Sequence, residues 1–85
     1  LLLRFTANTP ITVTCPQDSD ATWAVGIYVD LKQCGTGQIT VVAGTGATLN
    51  IPEDLVAVSR GQHCRIGLQK EAANNWSIFG DMEAA

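Results

Sequence analysis

Between Thr22 and Gln33 apolar residues fall at every second position. Trp23, Val25, Ile27, Val29 and Leu31 occupy one face, and Ala24, Gly26, Tyr28, Asp30 and Lys32 the other. A period of two is the repeat of an extended strand, whose successive side chains point to opposite sides. The second face starts small and apolar and ends charged, so this strand is expected to be covered on both sides near its start.

The same alternation recurs in shorter runs, cut by Gly, Pro, Asn and Asp at intervals of about 8 to 12 residues, the rhythm of an all-β domain. Ile11, Val13 and Cys15 alternate with Thr12 and Thr14 until Pro16 stops the run. Gly35-Thr36-Gly37 leads into Gln38–Ala43, and Gly44-Thr45-Gly46 into Ala47–Ile51, as two hairpin-like units. Leu55–Arg60 reads as another strand, and in His63–Glu71 Cys64, Ile66 and Leu68 alternate with Arg65, Gly67 and Gln69. Ala72-Ala73-Asn74-Asn75 is a tight turn, because Asn tolerates the positive φ that such a hairpin demands. Trp76–Asp81 closes the series. About seven short strands leave no room for a substantial helix. The expected fold is a compact antiparallel β-sandwich or barrel over residues 10–85. Its core is Trp23, Val25, Ile27, Val29, Ile39, Val41, Ile66, Leu68, Trp76 and Ile78. Residues 1–9 are expected to be a connecting segment, and the start without Met suggests an anchor upstream.

A chain of 85 residues builds a marginal core, and domains of that size commonly lean on a disulfide, a metal or a partner chain. Hydrophobic residues make up 46% of this one and charged residues 15%, against about 25% in an ordinary globular domain. So few charges leave apolar surface for another chain, which points to an oligomer. Net charge is −3, and Arg4, Lys32, Arg60, Arg65 and Lys70 are scattered along the sequence. Nucleic-acid binding needs a basic stripe and is not expected. No apolar run approaches the roughly 20 residues of a membrane-spanning helix, and Leu1-Leu2-Leu3 is too short for a signal peptide.

Cys15, Cys34 and Cys64 sit in or beside apolar runs, with no Cys-x-x-Cys pair and a single histidine. They read as small buried hydrophobes kept reduced, and no zinc site is expected. The two Gly-Thr-Gly turns lead into strands, whereas phosphate loops lead into helices. Asp18-Ser19-Asp20 offers too few oxygens for Ca²⁺, and Glu53-Asp54 and Asp81-x-Glu83 are pairs only in sequence. His63, with Ser59 before it and Cys64 beside it, could be written as a nucleophile–base pair, yet neighbours on a strand diverge. Asn75-Trp76-Ser77 matches a glycosylation triplet that arises often by chance. Trp23 and Trp76 could stack a sugar, though their alternating surroundings favour the core. No catalytic residue, cofactor or metal is expected.

Gly37-Gln38-Ile39-Thr40-Val41, Gly46-Ala47-Thr48-Leu49-Asn50, Arg60-Gly61-Gln62 and Trp76-x-Ile78-x-Gly80-Asp81-Met82-Glu83 occur in that order. From Pro10 to its end the chain resembles a β domain common near the C-terminus of bacteriophage virion proteins, especially fibre-like appendages and capsid-decorating proteins. The cysteines depart from that pattern, which usually has Val at position 15 and small or aliphatic residues near 34 and 64. The resemblance implies a non-enzymatic capsid-decorating (cement or head-fibre) domain, made in the bacterial cytoplasm and trimerising on the virion exterior. Its partners would be copies of itself and the major capsid protein or another virion protein. Tyr28, Val42 and Phe79, left over on second faces, are the candidate trimer interface. The alternatives are a tail-fibre tip or a carbohydrate-binding module meeting a host-surface glycan.

Overall fold

The computed structural model describes residues 1–19 and 23–85. Among them are nine strands and no helix: β1 (Leu2–Phe5), β2 (Ile11–Cys15), β3 (Tyr28–Gln33), β4 (Ile39–Ala43), β5 (Thr48–Asn50), β6 (Leu55–Ser59), β7 (Arg65–Ala72), β8 (Asn75–Gly80) and β9 (Met82–Ala84). They form two sheets, one ordered β1-β3-β7-β8-β5 and the other β2-β4-β6-β9.

The chain changes sheet at every connection except β7 to β8. Crossing and returning puts strands two apart in sequence into the same sheet, where they can pair directly. β1 pairs parallel with β3, in register Leu3↔Leu31, and β2 parallel with β4, in register Val13↔Val41. β5 also runs parallel to β8. The remaining pairings are antiparallel. The sheets are therefore mixed, not antiparallel as the sequence suggested. The Gly-Thr-Gly turns are crossovers between sheets, not hairpins.

Residues 1–9 are more than a connection, because Leu2–Phe5 forms an edge strand. The turn that starts at Cys34 is tied to it: the Cys34 and Gly35 amides both donate to the Phe5 carbonyl, at 2.7 and 3.1 Å. A Cβ on Gly35 would fall 2.2 Å from the Ala7 carbonyl oxygen, so only glycine fits this crossing.

The long alternating run is not one strand. Ile27 N donates to Ala24 O in a turn, Gly26 takes φ 92°, and β3 begins only at Tyr28. Val25 consequently stands on the turn, 64% exposed, and is not a core residue. Thr22, the expected start of the run, lies outside the described residues.

Val29, Leu31, Ile39, Val41, Ile66, Leu68, Trp76 and Ile78 are buried together with Cys15, Ala57 and Met82, and Trp23 and Ile27 pack partly buried against them. Trp23 and Trp76 meet edge to face with centroids 6.1 Å apart, the favoured geometry for two aromatic rings. Two polar side chains cross this core. Ser59 Oγ on β6 donates to Gln33 Oε1 on β3 at 2.6 Å, accepts from Ile39 N at 2.8 Å, and Gln33 Nε2 donates to Gly35 O at 3.1 Å. The two sheets are thus stitched by a buried bridge whose members are satisfied.

Candidate functional site

Alternation on the five-stranded sheet sends Val29, Leu31, Ile66, Leu68, Trp76 and Ile78 inward. It leaves Tyr28, Asp30 and Lys32 of β3, Arg65 and Gly67 of β7, and Phe79 of β8 on the outer face. Phe79 lies directly across from Gly67, and Gly67 across from Asp30. Because Gly67 has no side chain, the rings from the flanking strands lean over it. Tyr28 and Phe79 meet there with centroids 5.3 Å apart and planes tilted by 31°. A Cβ on Gly67 would come within 2.5 Å of Phe79 Cζ. The two rings remain 39% and 37% exposed.

The Tyr28 hydroxyl donates to Asp30 Oδ1 at 2.6 Å, and Arg65 Nη2 donates to Asp30 Oδ2 at 2.9 Å. The hydroxyl, with Arg65 behind it, holds the Asp30 carboxyl below the usual carboxylate range, and the same bond raises the tyrosine. The ring is thereby fixed at its tip as well as its face.

Beside this platform the fold gathers what the sequence scatters. Arg4 on β1 is the register partner of Lys32 on β3, and Lys32 is the partner of Arg65 on β7. Three of the chain's five cations stand in one cross-strand row. The separations of these residues in sequence gave no sign of it; only the parallel β1–β3 pairing brings Arg4 in.

Val42 lies elsewhere, 39% exposed on the outer face of the four-stranded sheet. Its neighbours by register and alternation are Thr14, Thr12, Thr40 and Val58, an uncharged β-branched surface. The three candidate interface residues therefore occupy opposite sides of the sandwich.

The remaining candidates do not converge. Ser59 faces the core, whereas His63 is exposed at φ 70° with its amide donating to Gln33 O at 2.6 Å. Cys64 is buried beside Asp81, whose carboxylate is held bidentately by Arg60 at 2.7 and 2.8 Å. The Arg60 guanidinium, then the thiol, push Asp81 down to about 2. Cys15 is buried against an apolar cavity of about 90 Å³ lined by Leu3, Val13, Trp23, Leu31 and Trp76, and burial raises its thiol to about 11. The three cysteines are free thiols. Trp76 is buried with its indole donating to Pro16 O at 3.3 Å, so the exposed aromatics are Tyr28 and Phe79 instead. Asp54 occupies a turn, Glu83 accepts from Gln38, and Asn75 Oδ1 accepts from Asn50. Asp18 pairs with Lys70, while Asp20 lies outside the described residues. Among the described residues no group of three His, Cys, Asp or Glu side chains could hold a metal.

Comparison with protein-family models, with curated proteins and with solved structures finds no match to this chain.

Proposed function

We propose that this chain is a non-enzymatic structural protein of a bacteriophage virion, a capsid-decorating domain that trimerises on the particle surface. The observation that carries the self-association is the pair of uncovered faces. Tyr28 and Phe79 stand on the outside of one sheet, and Val42 with its β-branched neighbours on the outside of the other. A cyclic trimer joins two different patches of each subunit, and this chain offers two different uncovered faces. The virion assignment rests on the ordered motifs from Gly37 to Glu83.

Light scattering across a dilution series tests this reading. A mass of three chains that persists on dilution supports it, and a stable monomer overturns the trimer.

A second reading, a carbohydrate-binding module or tail-fibre tip, is favoured by the Tyr28–Phe79 platform. Exposed rings fixed from below are suited to stacking against a sugar. Glycan-array binding by the monomer, lost in Phe79→Ala, would put this reading first.

A further inference from the structure

Three ion pairs are formed among the described residues: Arg60 with Asp81, Arg65 with Asp30 and Lys70 with Asp18. Arg4 and Lys32 take no part in them. They nonetheless stand directly opposite each other, and Lys32 stands opposite Arg65. Like charges facing each other across strands destabilise a sheet. With neighbouring strands about 4.8 Å apart, the row spans roughly 10 Å. Asp30 pairs with Arg65 and with neither Arg4 nor Lys32, so the face carries surplus positive charge on a chain whose net charge is −3.

The matching surplus of acid lies on the other sheet. Glu53 and Asp54 form the exposed turn into β6. Glu83 sits on β9, with its carboxylate accepting from Gln38 Nε2 at 2.6 Å. The β6–β9 pairing, Leu55↔Ala84, and the hydrogen bond from Ala85 N to Asp54 O at 2.9 Å bring the turn and the strand to one edge. None of these three carboxylates takes part in an ion pair among the described residues.

We infer that the Arg4–Lys32–Arg65 row is a docking surface for the Glu53, Asp54 and Glu83 edge of a second copy of this chain. The inference rests on the self-association proposed above and names the contact that would make it. Both halves are present on every copy and differ from each other, so the contact is heterologous and repeats from subunit to subunit until a ring closes. The Tyr28–Phe79 platform adjoins the row and supplies apolar area at its side. A standard contact covers about 800 Å² on each partner. Two contacts per chain would thus cover about a third of the 4691 Å² surface. Each contact sets cations of one copy against acids of the next and relieves the repulsion within the row.

Sedimentation velocity at low and high salt is the test, on the wild-type chain and three variants checked for folding by thermal melting. Wild-type association is expected to weaken about tenfold or more in dissociation constant as salt rises, since screening shortens the reach of exposed charges. Arg4→Glu/Lys32→Glu is expected to sediment as a monomer. Combining it with Glu53→Lys/Asp54→Lys/Glu83→Lys in one chain, so that the two patches exchange sign, is expected to restore the oligomer. Arg4→Gln/Lys32→Gln, gentler on the sheet, is expected to weaken association without abolishing folding. An oligomer that survives both substitutions of the row and ignores salt overturns the inference and leaves the self-association reading standing. Failure of the exchanged chain to reassemble, while the row variants dissociate, overturns the acidic edge as the partner. A wild-type chain that is monomeric at every concentration overturns both.

Discussion

Lys70 Nζ lies 2.7 Å from Asp18 Oδ1, on a side chain only 2% exposed. The same ammonium donates to Trp23 O at 2.5 Å. Lys70 faces inward from β7, so its charge ends inside the sandwich and draws two parts of the β2–β3 connection onto it. Asp18 is further held to the β7–β8 turn, its amide donating to Asn74 Oδ1 at 2.6 Å.

A buried ammonium stripped of its carboxylate is costly, whereas an apolar side chain of similar length removes the problem. Asp18→Ala is therefore expected to lower the melting temperature, and adding Lys70→Met to recover part of the loss. Equal melting temperatures for wild type and Asp18→Ala would remove Lys70 from the set of structural residues.

The inter-sheet bridge is expected to matter more than any surface polar contact. Ser59→Ala leaves Gln33 Oε1 and Ile39 N buried without their partner, about 1–3 kcal/mol for each unsatisfied group. Trp76→Ala, which empties the largest ring site of the core, is expected to cost about 3–5 kcal/mol. Urea denaturation of the two variants checks both magnitudes, and a loss under 1 kcal/mol in either would contradict the packing described.

Gly67→Ala isolates the platform from the fold. The new Cβ meets the Phe79 ring and the Tyr28 hydroxyl, which are exposed and can swing outward. Melting is expected to change little, while the near-ultraviolet dichroism of the ring pair and the association of the chain both weaken. A variant that associates as the wild type does would show that the platform is not part of the contact.

Stability is expected to fall at both ends of the pH scale. Asp81, at about 2 in the fold and near 4 in the unfolded chain, keeps its contribution above pH 4 and loses it as pH falls toward 2. Asp81→Asn should flatten that limb. Cys15 is raised from about 9 to about 11 by burial, so the unfolded chain releases its proton first and stability declines as pH climbs between those values. Cys15→Val should flatten that limb in turn. Thiol titration with a polar disulfide reagent should modify Cys34, which is half-buried, ahead of Cys15 and Cys64, which are buried.

The alternating runs made most of the strands and the buried face legible, because the pleat fixes which residues share a side whatever the topology. The Asn74 turn was legible for the same local reason: it takes φ 55° and makes the one hairpin of the described chain. Val25 misled because Ala24-Val25-Gly26 continues the alternation in letters while the backbone turns there. Sheet order was not written in local pattern. Parallel partners such as Arg4 and Lys32 come from distant segments, so neither the cation row nor the inward path of Lys70 had a signal in composition or spacing. The Gln33–Ser59 bridge was hidden similarly, since each residue alone reads as an ordinary polar position at a strand end.

The shuttling of the chain between sheets bears on how it reaches its native state. Apart from β7 and β8, no two strands adjacent in sequence are hydrogen-bonded neighbours among the described residues, so nearly every pairing there must close a loop through the opposite sheet before it gains a ladder. Loop-closure entropy then precedes almost all of the stabilisation, and such chains fold slowly, over roughly milliseconds to seconds. The β7–β8 hairpin is the one element that can form early, and its residues should carry the highest φ-values in a mutational study of the folding transition state.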